Sequence, residues 1–185
     1  MTASREAEIK RTALRLLELQ NPRGRFALIS LDYAALVSEE PVICCDISEI
    51  SAPGDGVLGV SALRGGIGII YVDVEGARRL EPEAVKTVMH EYGHILLHHA
   101  GRKTDRREAE READAFALEF LVPEFFVRYL ALTRGNLTES WLSGFLAATP
   151  EMIRKRLRQL SERKYMPTRL ELGLMRRFFA PDREK

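Results

Sequence analysis

The pattern of apolar and charged positions predicts a helix at the start of the chain, a short β region in the middle and helices again towards the end. In residues 4–20, apolar side chains such as Ile9, Ala13 and Leu16 recur at helical spacing between charged residues, which indicates an amphipathic helix. The "NPRGR" sequence that follows is typical of a helix end. A shorter helix is predicted around "SLDYAALVSE", with Ser30 as its candidate cap.

The middle of the chain contains short apolar runs that are rich in Val and Ile and separated by glycines. These runs predict three strands, near residues 42–47, 57–63 and 67–74. The Gly65-Gly66 pair predicts a tight turn that joins the last two strands into a hairpin. We therefore expect a small three-stranded antiparallel sheet that packs near the next helix along the chain, which contains His90 and His94.

Helical patterns then return, each followed by a residue that commonly ends a helix. "EPEAVKTVMHEYGHILLHHA" is predicted to end at Gly101, "DRREAEREADAFALEFL" at Pro123 and "PEFFVRYLAL" at Gly135. "TESWLSGFLAA" and "TPEMIRKRLRQL" are the last two predicted helices, and Thr149 is the candidate cap of the second. The order of helix, strands and helices predicts a mainly helical α+β fold rather than alternating α/β.

The composition is ordinary for a globular protein, because 185 residues with 45% apolar and 30% charged side chains can form one domain with a buried core. We predict a domain over residues 1–135 and a helical, basic segment over 136–185 that packs on it.

The charged N-terminus lacks the apolar core of a signal peptide, and no stretch is apolar enough to cross a bilayer, which predicts a cytoplasmic protein. Cys44 and Cys45 are adjacent, so a disulfide between them is not expected.

Positive charge is concentrated at the end of the chain, where residues 151–185 carry eleven Lys or Arg and five Asp or Glu. Such a segment suits an acidic partner or nucleic acid. Four basic side chains lie on its first helix: Arg154, Lys155, Arg156 and Arg158. We favour an amphipathic helix that packs on the domain, because the turn before it contains Pro150 and no glycine. A DNA-reading helix and a docking surface for a protein substrate are the alternatives.

All four histidines lie within ten positions, at His90, His94, His98 and His99. His90 and His94 are four apart, which places both imidazoles on one helix face where they can bind the same metal ion. With Glu91 they form the H-E-x-x-H arrangement of zinc hydrolases, in which the glutamate acts on the metal-bound water. We predict that His98 lies near the helix end without binding the metal, and that His99 is solvated.

A catalytic zinc site needs a third protein ligand and an open position for water. The metzincin extension would place that ligand at position 100 after a glycine at 97, but the chain has Ala100 and Leu97 there. A further ligand from the same straight helix would lie a turn too far away. The third ligand is therefore expected on another element.

The next predicted helix offers Glu110 and Asp114, which are four apart and share a face. One carboxylate can bind the metal while the other accepts a proton from a ligating imidazole and so fixes its tautomer. We favour Glu110 as the ligand, with Glu112 and then Glu108 as alternatives. Glu108 and Glu112 are expected to share a solvated face beside Arg107 and Arg111.

The two motifs "HEYGHILLHH" and "EREADAFALEFLVP" together resemble the ImmA/IrrE family of metallopeptidases, over roughly residues 5–162. The second motif matches the family at Glu110, Glu112, Ala113, Asp114, Phe116, Ala117, Leu121 and Pro123. Val122 replaces the usual methionine. The resemblance implies a zincin-like domain with His90, His94 and Glu110 as zinc ligands. It further implies that Glu91 is catalytic and that Asp114 supports one of the ligands.

The resemblance also implies a zinc-dependent endopeptidase that cleaves a protein partner, such as a helix-turn-helix repressor. Mn²⁺ or Fe²⁺ can occupy the same ligands. The substrate is expected to bind as an extended strand along an edge of the sheet within "SALRGGIGIIYVDV". Tyr92 and Tyr71 are weak candidates for the group that stabilises the oxyanion.

Two other functions remain open from the sequence. The protein could be a regulatory binding module that holds zinc and signals through a partner without proteolysis. It could instead be a DNA-binding regulator in which zinc is structural. Metal binding, substrate cleavage and salt-sensitive DNA binding separate these hypotheses.

Overall fold

A computed structural model describes residues 2–21, 31–51, 55–101, 105–162 and 164–179, and these form a mainly helical α+β fold with one small sheet. The elements in chain order are α1 (Ala3–Gln20), β1 (Val42–Asp46), β2 (Gly59–Arg64), β3 (Ile67–Val72), α2 (Val74–Arg78), α3 (Pro82–Leu96), α4 (Arg106–Leu121), α5 (Glu124–Arg134), α6 (Glu139–Ser143), α7 (Pro150–Glu162) and α8 (Arg169–Phe179). The predicted mainly helical α+β class, with one small three-stranded sheet, is confirmed. None of the helices in the described part of the chain is both long and apolar enough to cross a membrane.

The first helix, α1, agrees with the predicted range of 4–20 and buries the predicted apolar side chains, including Ile9, Ala13 and Leu17. The predicted cap at Ser30 lies outside the described residues. Close to it, a short 3₁₀ helix over Tyr33–Ala35 begins after Asp32, whose carboxylate accepts a hydrogen bond from the backbone N–H of Ala34 at 3.1 Å.

The sheet has the strand order β1-β3-β2, with β3 antiparallel to β2 and parallel to β1. The predicted hairpin is confirmed: Gly65 and Gly66 both have positive φ, at +57° and +82°, and Arg64 pairs with Ile67 across a two-residue turn. The prediction of a wholly antiparallel sheet is wrong. The Gly-Gly turn determines only how β2 and β3 pair, whereas the direction of β1 depends on a longer connection that carries no local turn signal.

One face of the sheet packs on α3, as predicted, and two glycines allow the close approach. A Cβ on Gly68 would lie 2.8 Å from Cγ2 of Ile95, and one on Gly59 would lie 2.6 Å from Cγ2 of Thr87. Real Cβ atoms do not approach other atoms so closely, so a larger residue at either position would have to displace the facing side chains of α3. The sheet therefore lies directly against the helix that carries the histidines.

The helix α3 ends at Leu96, five residues before the predicted end at Gly101. His98 adopts the left-handed conformation, with φ of +57°, and a 3₁₀ turn over His99–Gly101 follows. Left-handed residues commonly end helices, and histidine is among the non-glycine residues enriched in that region. The pattern of apolar positions continues past this point, which is why it predicts a longer helix.

The helices α3 and α4 lie side by side in opposite directions. His90 of α3 contacts Asp114 of α4, whereas His99, just after the end of α3, contacts Glu112, two residues earlier on α4. A Cβ on Gly93 would lie 3.0 Å from the Cα of Ala113, so small residues let the two backbones approach closely. This close contact brings the histidine face of α3 onto the acidic face of α4.

The C-terminal helices contribute to the same buried cluster as α3 and α4, through side chains that include Leu142, Ile153 and Leu174. The cap of α7 is confirmed, because Thr149 Oγ1 accepts a hydrogen bond from the backbone N–H of Met152 at 3.3 Å. The predicted "TESWLSGFLAA" helix is limited to the five residues of α6, and the sequence pattern did not predict α8.

The basic face predicted on α7 is partly wrong, because Arg156 points into the protein. Its side chain is 5% exposed and makes an ion pair with Glu119 at 2.6 Å. It also donates to the backbone carbonyl of Val122, at the end of α4, at 2.7 Å. Arg154, by contrast, is exposed and pairs with Glu139 at 2.8 Å. Arg156 is thus a link between α7 and α4 and cannot contact nucleic acid.

Candidate metal centre

Three side chains from two helices converge on one point, which we call the metal centre: His90, His94 and Glu110. One potential ligand atom of each lies within 4.8 Å of the others. The Nε2 atoms of His90 and His94 are 3.1 Å apart, and Oε2 of Glu110 is 3.2 Å from the first and 3.8 Å from the second. The sequence predicts these three residues, and the favoured third ligand, Glu110, lies near Nε2 of both His90 and His94.

The spacing of these atoms fits a tetrahedral metal site. Ligand atoms at about 2.0–2.1 Å from a tetrahedral zinc ion are separated from one another by about 3.3 Å. The three observed separations of 3.1, 3.2 and 3.8 Å fall around that value. Two imidazole nitrogens that face each other at 3.1 Å repel unless they share a cation or a proton, so the donor set itself favours a bound cation.

Asp114 orients the first imidazole, because Nδ1 of His90 donates a hydrogen bond to Oδ1 of Asp114 at 2.9 Å. That bond leaves Nε2 of His90 free to face the metal centre. Burial opposes a charge on His90, but the hydrogen bond and the negative charge of Asp114 outweigh it and raise the pKa of His90. The same hydrogen bond lowers the pKa of Asp114.

Glu91 lies beside the metal centre and is buried between α3 and β2. A Cβ on Gly59 of β2 would lie 3.0 Å from both Cγ and Oε1 of Glu91, so the strand and the carboxyl group are in contact. Burial raises the pKa of Glu91, while a hydrogen bond with Ser61 and the charge of His90 act in the opposite direction. A carboxyl group with a raised pKa is suited to accept a proton and release it again.

His94 is held by a second imidazole, which the sequence analysis missed. Its Nδ1 lies 2.8 Å from Nδ1 of His99, and Nε2 of His99 lies 3.0 Å from Oε2 of Glu112. Burial lowers the pKa of His94 to about 4, and the neighbouring imidazoles of His90 and His99 act in the same direction. A neutral imidazole is the form that binds a metal ion.

The predictions that His99 and Glu112 are solvated are both wrong. Glu112 is buried and forms an ion pair with Arg5 of α1, whose Nη2 lies 2.5 Å from Oε2. The hydrogen bond from Arg5 is the main cause that lowers the pKa of Glu112 to about 2, despite the opposing effect of burial. No local pattern indicates this contact, because it joins residues 107 positions apart. The pattern of apolar positions also does not predict the left-handed conformation of His98, which redirects His99.

The remaining candidates lie away from the three ligand atoms. His98 is exposed after the end of α3, 3.4 Å from Glu40, which agrees with the prediction that it does not bind the metal. Tyr92 is buried and donates to the backbone carbonyl of Leu36 at 3.4 Å, so its hydroxyl is engaged elsewhere. Tyr71 pairs with Cys45 and Val60 in the sheet, on the opposite face from the buried Ile70 and Val72.

Residues 68–158 match the family model of peptidase M78, described as the IrrE N-terminal-like domain. The match confirms the resemblance to the ImmA/IrrE family, and it covers α3 and α4 together with all three residues of the metal centre. It begins within β3 and ends within α7, so it does not extend to α1, which supplies Arg5. No curated protein and no solved structure matches the chain significantly.

Proposed function

With residues 68–158 identified as an IrrE N-terminal-like domain of a peptidase family, we propose that this protein is a zinc-dependent endopeptidase that cleaves a protein partner. One observation carries the proposal: two imidazole nitrogens and a carboxylate oxygen converge at tetrahedral spacing, next to a buried glutamate with a raised pKa. Such a set of groups can bind a metal ion and move a proton.

In this proposal His90, His94 and Glu110 hold the ion, and Asp114 keeps Nε2 of His90 directed at it. A bound zinc ion supplies Lewis acidity, which activates water and polarises the scissile carbonyl group. Mn²⁺ or Fe²⁺ suits the same three ligands, because imidazole and carboxylate groups accept all of these cations. Only three protein ligands are assigned, which leaves a position for water or substrate.

Glu91 is the proposed acid–base group. Its carboxylate accepts the proton of the attacking water and then donates it to the amine that leaves. Burial between α3 and β2 raises the pKa of Glu91 above the ordinary value of a glutamate, which supports both steps of this transfer. Contact with Gly59 and the hydrogen bond with Ser61 limit where the carboxyl group can point.

The proposed substrate path runs along β2. This strand pairs with β3 on one side and, among the described strands, with none on the other. An extended peptide added at that edge would pass beside Gly59 and therefore beside Glu91. Val57, Leu58 and Leu63 expose apolar surface on and near β2, which suits apolar substrate side chains. The ImmA/IrrE resemblance extends the proposal to the substrate class, a helix-turn-helix repressor.

The proposal is tested with the metal-loaded protein and two glutamine variants of α3. We expect Glu91→Gln to retain about one metal ion per chain and to lose activity by about 10²–10⁴-fold, because only the acid–base group is removed. Glu83→Gln is the matched control, since Glu83 lies in the first turn of the same helix and its side chain is 74% exposed. Cleavage is measured by mass spectrometry on a helix-turn-helix repressor and a library of quenched peptides.

Equal cleavage by the wild-type protein and Glu91→Gln would contradict the peptidase proposal. His90→Ala and His94→Ala are each expected to lose the bound metal, measured by elemental analysis after dialysis. A wild-type chain that binds no divalent metal would contradict the metal centre itself. A chain that binds metal and partner but cleaves neither substrate would instead be a non-proteolytic binding module.

A further inference from the structure

Behind the metal centre, a chain of polar side chains connects α1 to His94. Arg5 contacts Glu112, Glu112 contacts Nε2 of His99, and Nδ1 of His99 contacts Nδ1 of His94. The Nε2 atom of His94, on the far side of its ring, faces His90 and Glu110. We propose that His99 is a positioning residue, held by Glu112 and Arg5, that sets the tautomer and orientation of the ligand His94.

The direction of each hydrogen bond follows from the ends of this chain. The guanidinium group of Arg5 only donates, and the ionised carboxylate of Glu112 only accepts. Nε2 of His99 must therefore donate to Glu112, which leaves Nδ1 of the neutral ring as an acceptor. His94 then donates from its own Nδ1, and its Nε2 presents a lone pair to the metal centre. The reverse arrangement would place a hydrogen on Nε2 of His94 and block metal binding.

Burial of the side chains favours this arrangement of hydrogen bonds over contacts with water. The side chains of His99 and Glu112 are 6% and 4% exposed, and that of Arg5 is 11% exposed, so little water competes for their hydrogen bonds. An unpaired carboxylate at Glu112 would be costly in this environment, and Arg5 supplies the compensating charge. Removal of His99 would leave Nδ1 of His94 without this hydrogen-bond partner, while Glu112 would keep its ion pair with Arg5.

The backbone explains how His99 reaches this position. The left-handed conformation of His98 ends α3 and redirects the chain, so that His99 returns to the ring of His94, with ring centroids 4.9 Å apart. Arg5 secures the same turn, because its Nη2 also donates to the backbone carbonyl of Leu97 at 3.4 Å. His99 approaches His94 on the Nδ1 side, away from the three ligand atoms, and so it supports a ligand without being one.

The two metal-binding imidazoles thus have different supports. His90 relies on the half-exposed carboxylate of Asp114, whereas His94 relies on the buried imidazole of His99. Supports of this kind typically change metal affinity by about 10–100-fold. The inference rests on the proposed function, in which His94 is a metal ligand. It adds α1, which supplies Arg5, to the parts of the chain on which the metal centre depends.

The test measures zinc affinity and the His94 tautomer in the full-length protein. We expect His99→Ala to weaken zinc binding by about 10–100-fold in competition with a chromophoric chelator. His99→Asn is expected to recover most of that loss, because its Oδ1 can accept the hydrogen bond from Nδ1 of His94. The control is His98→Asn, which changes the exposed neighbour to a residue that tolerates left-handed φ, and it should bind zinc as the wild type does.

The second measurement is the tautomer of His94, which a purely structural effect of the substitution would not change. In the metal-free protein, two-bond ¹H–¹⁵N correlations should show the wild-type His94 with its proton on Nδ1, and His99→Ala with a mixture of tautomers. Equal zinc affinity in the wild type and His99→Ala would overturn the inference while leaving the metal centre intact. Equal losses in His99→Ala and His99→Asn would also overturn it. Failure of the wild type to bind zinc would contradict the proposed function instead.

Discussion

At the scale of single residues, the metal centre depends on which atom of each side chain points into it. Asp114 occupies Nδ1 of His90 and His99 lies at Nδ1 of His94, so both rings direct Nε2 inwards. Glu91 is placed differently, through close packing against β2. Small changes at the strand should therefore affect proton transfer more than metal binding.

The substitution Gly59→Ala tests whether a change in β2 affects proton transfer without affecting metal binding. The added Cβ would lie 2.6 Å from Cγ2 of Thr87 and 3.0 Å from Oε1 of Glu91, so the carboxyl group must shift. A misplacement of about 1 Å can reduce a reaction rate by about 10²-fold. We expect a loss of about 10–100-fold in kcat/KM with unchanged zinc content, measured on the repressor or peptide substrate. A loss of zinc, or unaltered cleavage, would contradict this role of Gly59.

At the scale of elements, the centre exists because α3 and α4 pack closely in opposite directions. The proposed ligands His94 and Glu110 come from different helices, so their separation depends on the distance between the two backbones. Gly93 and Ala113 allow that distance, since a Cβ at position 93 would lie 3.0 Å from the Cα of Ala113. Backbone atoms yield less readily than the end of a flexible side chain.

Gly93→Ala is therefore expected to lower stability by about 1–3 kcal/mol through overpacking, and to weaken zinc binding as the helices separate. The matched control is Gly173→Ala, in the interior of α8, where an added Cβ meets no atom within 4 Å. Alanine should stabilise that helix by up to about 1 kcal/mol. Urea unfolding of both variants measures the difference, and effects of the same sign would contradict the packing argument.

At the scale of the whole molecule, buried ion pairs join distant segments. Arg156 of α7 pairs with Glu119 and donates to the last carbonyl groups of α4, while Arg5 of α1 pairs with Glu112 of the same helix. The helix α4 thus receives one arginine near its middle and one near its C-terminal end, from segments far apart in the chain. Asp114, which accepts the hydrogen bond from His90, lies between these two contacts on α4.

Arg156→Met is expected to lower the free energy of unfolding by about 3–5 kcal/mol, because it removes the arginine that forms the ion pair with the buried carboxylate of Glu119. The double variant Arg156→Met/Glu119→Gln removes that charge and should recover part of the loss. Arg154→Met is the control, since the Arg154 side chain is 60% exposed and its pair with Glu139 is a surface contact, for which about 0–1 kcal/mol is typical. Urea unfolding measures all three, and a double variant no more stable than Arg156→Met would contradict the argument.

Local periodicity was sufficient to predict much of this protein. The spacing of four between His90 and His94, and again between Glu110 and Asp114, places each pair on one helix face whatever surrounds the helix. The Gly65-Gly66 turn likewise requires only its own backbone conformation. The resemblance to the peptidase family depended on these same short motifs, and residues 68–158 confirm it.

Tertiary structure decided the features that depend on contacts between residues far apart in sequence. The parallel pairing of β1 with β3, the return of His99 to His94 and the inward direction of Arg156 have no local signal that determines them. The contact between Arg5 and Glu112 spans 107 positions, and only packing of α1 against α4 makes it. Sequence alone determined which helix faces carry the candidate ligands, whereas the fold determined which buried side chains support them.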